Sequence, residues 1–563
     1  MGQGRERPGS VSLARVRSYR AIAVEDRATG GRDAVMETQP NFVFVQADQL
    51  RADILGAYGN IVAKTPQIDA LAGEGVVFER AYCNYPLCAP SRFSMMSGLR
   101  ATRAGAYDNG AEFPASLPTM MHRLRLAGYQ TTLAGKMHFI GPDQLHGFEE
   151  RLTSDIYPSD FNWTADWVES MTGQTRLAAA AGEVNGVRNA GVYEDTIQMR
   201  FDDVVTRQAV DKIHDLAASN DRSPFCLWVS YTHPHDPFAV PRRYWDRYDH
   251  GDIDMPAIPA LGRDDLDPHS QRLHDHIGVS DAAMTDEDIR TARHAYYGAV
   301  SYIDDQLGAV MGALRQTSML EKTIVVFLSD HGEALGDRGL WFKRSFYDGA
   351  SRIPLIVRAP RLFEPSRSSS NVSLVDLLPT AVAIAGDPEL ETIDTAYDGR
   401  SLLPVLTGTS PSAPDDHAVL GEMTGEGLVA PAVMVVKGTH KYIHCPTDPP
   451  QLYAHSSDPL EQVNLAGDES VAAVETDLRG IVDATWDFDA LTAEVIESQR
   501  RRMTVDRAHA LGRQPSWDWD NSEHDNTQWF RPGPDNPSAS NYNSDFAVRR
   551  HPDSNEPQYR SHP

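Results

Sequence analysis

The sequence predicts an α/β protein in which helices cover both faces of a central, mostly parallel sheet, and a smaller antiparallel sheet with a packed helix follows. Three observations carry this. Short apolar, β-branched runs ending in polar tips recur through residues 41–333, and helix-period stretches lie between them. Beyond about residue 410 the pattern changes to shorter strands joined by tight turns.

"NFVFVQADQ" (41–49) reads as a buried strand with Asp48 at its C-terminal tip. "SPFCLWVSYTHPHDP" (223–237) repeats the design with imidazoles at the tip, and "KTIVVFLSDHGE" (322–333) repeats it with Asp330 and His331. The clearest helix between strands is "TARHAYYGAVSYIDDQLGAVMGALRQT" (291–317), whose apolar residues recur every three or four positions. In open parallel sheets ligands bind beyond the carboxyl ends of the strands, so these polar tips are expected to form one shared site.

The expected organisation is a disordered N-terminal extension over 1–38, an α/β domain over 39–410, an α+β subdomain over 411–512 and an extended tail over 513–563. The extension lacks packing periodicity, and Met36 reads as the natural start. The tail is rich in Asn, Pro, Ser and Asp and carries several tryptophans, which suits docking on a neighbouring copy of the chain.

At 563 residues the chain can bury a large core. Its net charge of −27 excludes the broad basic surface that nucleic acid or an anionic membrane requires, so any bound anion must be met by a few local cations. No segment reaches membrane-spanning length. Four cysteines, at 83, 88, 226 and 445, are too few and too scattered for a disulfide framework, which points to a reducing cytoplasm.

Taken alone, Cys88 reads as an ordinary buried cysteine. Its surroundings, "YCNYPLCAPSRFSMMSG" (82–98), contain Cys-x-Pro-x-Arg followed by a small-residue Ser-Gly, and this resembles the type I sulfatases. The resemblance implies that a formylglycine-generating enzyme reads Cys88, Pro90 and Arg92 and oxidises the cysteine to an aldehyde. Hydrated to a diol, that aldehyde offers one hydroxyl to attack sulfur, and deprotonation of the other expels sulfate. Such chemistry needs a metal, cations for the anion and a proton donor for the leaving alcohol. "RFSMMSG" reads as the start of a helix whose N–H groups face the anion.

The same resemblance assigns the remaining parts. Asp48, Asp330, His331 and modified Cys88 would hold one divalent metal, Ca²⁺ ahead of Mn²⁺ or Mg²⁺. Arg92, Lys136 in "LAGKMHF" and Lys343 in "GLWFKRSF" would neutralise the sulfate. His138, two residues after Lys136 and facing the same side on an extended segment, would deprotonate the diol, and His235 in "THPHDP" would protonate the leaving alcohol. Asn109 in "YDNGAE" would help hold the sulfate or the formylglycine.

"GPDQLHGFEERLTSDIYP" together with these segments is most similar to choline-sulfatases, over roughly residues 40–500. That family implies an alkaline-phosphatase-like sandwich and a small sulfate ester as substrate, with Trp163 and Glu422 as candidates for the cationic head. Ala47-Asp48 and Asp330-His331, where most sulfatases carry Asp-Asp and Asp-Asn, are also similar to phosphonate monoester and phosphodiester hydrolases. Hydrolysis of those esters, or of another alkyl or aryl sulfate on the same scaffold, is the alternative activity. A non-catalytic metal- or anion-binding relative is the alternative from another class.

Overall fold

The structure, a computed structural model, describes residues 39–168, 184–279, 284–386, 397–409, 417–512 and 516–519. Its strands, in chain order, begin with β1 (Asn41–Ala47), β2 (Val76–Tyr82), β3 (Gln130–Gly135), β4 (Glu150–Arg151) and the two-residue β5 (Gly191–Val192). There follow β6 (Phe225–Ser230), β7 (Ala239–Val240), β8 (Thr323–Ser329), β9 (Arg352–Arg358) and β10 (Ser366–Ser373). Eight of them form the central sheet in the order β10-β2-β9-β8-β1-β6-β3-β4. All its pairings are parallel except the two made by β9, while β5 and β7 form a separate parallel pair.

The near-continuous apolar runs of β1, β6 and β8 follow from burial on both faces. Phe42, Phe44, Trp228, Ile324 and Val326 point to one face, where Phe44 stacks on Trp228 at 4.3 Å. Val43, Val45, Leu227, Val229, Val325 and Phe327 point to the other. Helices α1 (Cys88–Ser97), α2 (Met120–Leu126) and, later in the chain, α5 (Leu377–Ala385) pack on the first face, while α3 (Ile197–Ala218) and α4 (Asp286–Gln316) cover the second.

A second, antiparallel sheet contains β11 (Val419–Met423), β12 (Ala432–Lys437), β13 (His440–His444) and β14 (Gln451–Ala454) in sequence order. Met434 and Val436 on one face join the core of the central sheet. Val433, Val435 and Leu452 on the other pack under α6 (Ala472–Thr485) and α7 (Phe488–His509). The small sheet is thus sandwiched, and it shares a core with the large one.

The expected boundary at residue 410 and the extension over 1–38, with Met36, lie outside the described residues. Of the tail, residues 516–519 are described: Ser159 donates to Asp518 from its backbone N–H and its hydroxyl, both at 3.0 Å, and Trp517 meets Phe161 edge-on at 5.1 Å. Among the described residues no helix is long and apolar enough to cross a membrane.

Candidate active site

The site is assembled at the carboxyl ends of four neighbouring strands. Ala47 of β1 pairs with Ser329 of β8, so the next residues, Asp48 and Asp330-His331, emerge side by side. On the other flank β6 ends at Ser230 and β3 at Gly135, whose φ of +106° turns the chain sharply. A Cβ at Gly135 would lie 1.9 Å from the Ser230 carbonyl oxygen, so only glycine allows this approach. The turn delivers Lys136 into the site, where its Nζ lies 2.6 Å from Asp48 Oδ2 and both side chains are fully buried.

Cys88 opens α1 and is 1% exposed. Its Sγ lies 3.2 Å from His331 Nε2, 3.7 Å from Asp48 Oδ1 and 4.0 Å from Lys136 Nζ. Burial, reinforced by Asp48, pushes the thiol up to about 12 against the pull of Lys136 and Lys343, so the unmodified side chain is a poor nucleophile here. Asp48, Cys88, Asp330 and His331 bring one ligand atom each to within 4.8 Å of one another, all of them buried. Two carboxylates and an imidazole suit a divalent cation. His331 Nδ1 lies 3.0 Å from the Gly332 carbonyl oxygen, and donating to it leaves Nε2 as the free lone pair facing Cys88.

Arg92, one turn after Cys88, holds these ligands in place. Its Nε donates to Asp330 at 2.8 Å, Nη2 to Asp48 at 2.9 Å, and Nη1 to Ser230 Oγ at 2.9 Å and to the Lys136 carbonyl. Four of its five N–H donors are thereby engaged within the protein, which gives Arg92 an orienting task. Burial disfavours the Asp48 carboxylate, yet Lys136 and Arg92 hold its carboxyl well below the usual range.

Lys343 Nζ lies 2.6 Å from His235 Nε2 and also donates to Gln49 Oε1. His235 Nδ1 lies 2.7 Å from the Asp236 carbonyl oxygen, so that nitrogen carries the proton and Nε2 accepts from Lys343. His138 differs from expectation in backbone: its φ of +56° is left-handed, because Asp155 draws in the N–H groups of both Met137 and His138 at 2.9 and 2.8 Å. It is 1% exposed, and among the described residues neither ring nitrogen has a hydrogen-bond partner. Burial and then Lys136 hold its pKa well below the ordinary value, so it is a neutral ring at pH 7.

An aromatic wall stands beside it. Trp163 meets His138 edge-on at 5.1 Å and Tyr157 at 4.7 Å, and Lys136 Nζ sits 4.1 Å from the Tyr157 ring centre. Asn109 accepts the Ala89 N–H at 3.0 Å and so secures the first turn after Cys88. Glu422 lies on β11 and is 1% exposed. Its carboxylate accepts from Arg100 at 2.8 Å, from Thr102 N–H and hydroxyl at 2.9 Å each, and from Trp486 Nε1 at 2.5 Å. With these donors it braces the strand, and the structure does not place it among the clustered residues.

Residues 40–387 match the family model described as Sulfatase, and the chain is 40% identical over 489 residues to the choline-sulfatase of Rhizobium meliloti (strain 1021), covering 85% of this chain and 93% of that protein. The chain belongs to the sulfatase family. Residues 336–485 of this sulfatase also match the model described as N-sulphoglucosamine sulphohydrolase, C-terminal. Arylsulfatase K of Gallus gallus is 30% identical over 470 residues, covering 79% of this chain and 83% of that protein. Among solved structures, a phosphonate monoester hydrolase from Silicibacter pomeroyi superposes with a TM-score of 0.63 at 26% identity, covering 79% of this chain and 94% of that one.

Sequence reasoning about this sulfatase passed over Gln49, Ser230, Asp236 and Tyr157. Gln49 donates to Asp236 at 3.3 Å and to Glu333, and its own N–H reaches Asp330 at 3.2 Å. Gln49 and Ser230 stand at tips of strands already singled out, and Asp236 stands beside His235, so adjacency was the available signal. Tyr157 had none beyond its place in a family-like segment.

Proposed function

We propose that this sulfatase hydrolyses choline-O-sulfate to choline and sulfate by S–O cleavage, with Cys88 acting as formylglycine. The observation that carries the reading is the 40% identity spanning 93% of a choline-sulfatase. The His138–Tyr157–Trp163 wall supports it, because a quaternary ammonium has no hydrogen to donate and is held by aromatic faces.

Asp48, Asp330, His331 and residue 88 would hold one divalent ion, with Ca²⁺ the expected occupant. Such an ion lowers the pKa of a bound hydroxyl and offsets sulfate charge. The aldehyde at residue 88, hydrated to a diol, supplies the attacking hydroxyl. Lys136 and Lys343 balance the charge of the ester, and Arg92 fixes the two carboxylates. His138, neutral and with neither nitrogen hydrogen-bonded among the described residues, accepts the proton whose loss from the second hydroxyl releases sulfate. The hydrogen-bonded Lys343–His235 unit protonates the departing alcohol.

The expected partner in maturation is a formylglycine-generating enzyme. A reducing, cytoplasmic setting agrees with four buried cysteines that are all free. Likeness to a phosphonate monoester hydrolase makes that activity the second reading. Parallel kcat/KM values on choline-O-sulfate, an aryl sulfate and a phenylphosphonate ester separate the two. Choline-O-sulfate is expected to lead by at least about tenfold, and preference for the phosphonate would overturn the assignment.

A further inference from the structure

We infer that Arg502, on the C-terminal helix α7, is a positioning residue that sets the wall of the site through a buried ion pair with Asp108. The pair is bidentate, with Nη1 to Oδ1 at 2.6 Å and Nη2 to Oδ2 at 2.8 Å, and the two side chains are 6% and 0% exposed. Bidentate geometry out of water makes this a directional clamp.

What the clamp holds gives it its purpose. Asp108 precedes Asn109, the residue that accepts the Ala89 N–H beside Cys88. Its Oδ1 also accepts the Gly110 N–H at 2.9 Å, and its Oδ2 accepts the Ala165 N–H at 3.3 Å. Arg502 Nη1 donates to Thr164 Oγ1 at 2.9 Å, and one helical turn earlier Gln499 accepts the Trp167 N–H at 3.0 Å. Gly110 lets the two loops touch: a Cβ there would lie 2.4 Å from Thr164 N and 2.6 Å from the Trp163 carbonyl carbon. One guanidinium therefore joins the loop that secures the nucleophile's helix to the loop that carries Trp163. Neither loop is part of α7, so the C-terminal helix fixes the width between them.

The consequence concerns fit to the ester more than chemistry at sulfur. The metal-ligand cluster, Lys136, His138 and the His235–Lys343 unit are held by other partners. This inference rests on the proposed reading in one respect, that the Trp163 wall meets the alcohol part of the ester.

The test uses the full-length protein with Arg502→Met, Arg502→Lys and the double variant Arg502→Met/Asp108→Asn, which removes the stranded carboxylate should the single change prevent folding. On whichever ester of the panel the wild type prefers, KM is expected to rise about tenfold for Arg502→Met or the double variant, with kcat within about twofold and partial recovery in Arg502→Lys. Hydrogen exchange is expected to quicken in peptides covering 105–112 and 159–167 but not in β1 or β8. Unchanged exchange in those two peptides, or an unchanged KM, overturns the proposal. A wild type that prefers another ester defeats the choline reading alone, since the clamp is then tested on that ester.

Discussion

At the scale of single residues, the site consists of buried charges that fix one another. Arg92 touches both Asp48 and Asp330, so Arg92→Met would take one cation from each of two buried carboxylates and leave Asp48 to Lys136. A loss of about 3–5 kcal/mol in unfolding free energy is expected, read by denaturant titration. Among the described residues the His138 ring has no hydrogen bond to lose. His138→Gln should therefore leave the melting temperature nearly unchanged while kcat falls by about 10²–10⁴-fold, the range for a general acid or base. Mass spectrometry of the tryptic peptide from Ala81 to Arg92 tests residue 88 directly. The aldehyde is expected in protein from its own host, and intact thiol alone would remove the proposed nucleophile.

At the scale of elements, the tips of β1, β6 and β8 were legible because buried parallel strands must be apolar along their length, and the first polar residue after each marks the sheet's edge. The turn after β3 was legible only in part. Lys136 and His138 stood out as residue types, but the left-handed backbone at His138 depends on Asp155, which no local pattern announces. The partners of Glu422 were hidden for a related reason: the donors that meet its carboxylate come from Arg100 and Thr102 on one stretch of chain and from Trp486 on another. Gly135 is the element-level test. Gly135→Ala places a methyl against the Ser230 carbonyl at a positive φ, costing about 1–3 kcal/mol in backbone strain before any displacement of Lys136. A lowered melting temperature together with reduced kcat is expected, and unchanged values of both would contradict the tight turn described for β3.

At the scale of the whole molecule, the two sheets act as one body because the small one places Met434 and Val436 in the core of the large one. Composition announced the second sheet, but not that its helices reach back to the site; the Arg502–Asp108 pair spans 394 positions and leaves no periodic trace. Binding of the proposed ion would link the parts thermodynamically. The four candidate ligand residues come from three separate segments, so an ion bound to them would stabilise only the folded chain. Dialysis against a chelator should lower the melting temperature and abolish turnover, and restoring Ca²⁺ at a hundredfold excess over its Kd should return about 2.7 kcal/mol.

The burial of Cys88 also has a meaning in time. His331, which closes over its sulfur, is encoded 243 positions later. At ordinary synthesis rates of about 5–20 residues per second, roughly 10 to 50 s separate the appearance of the two from the ribosome. During that interval Cys88, Pro90 and Arg92 are displayed on a chain that cannot yet enclose them, so the proposed maturation would be a race between a modifying enzyme and the arrival of β8.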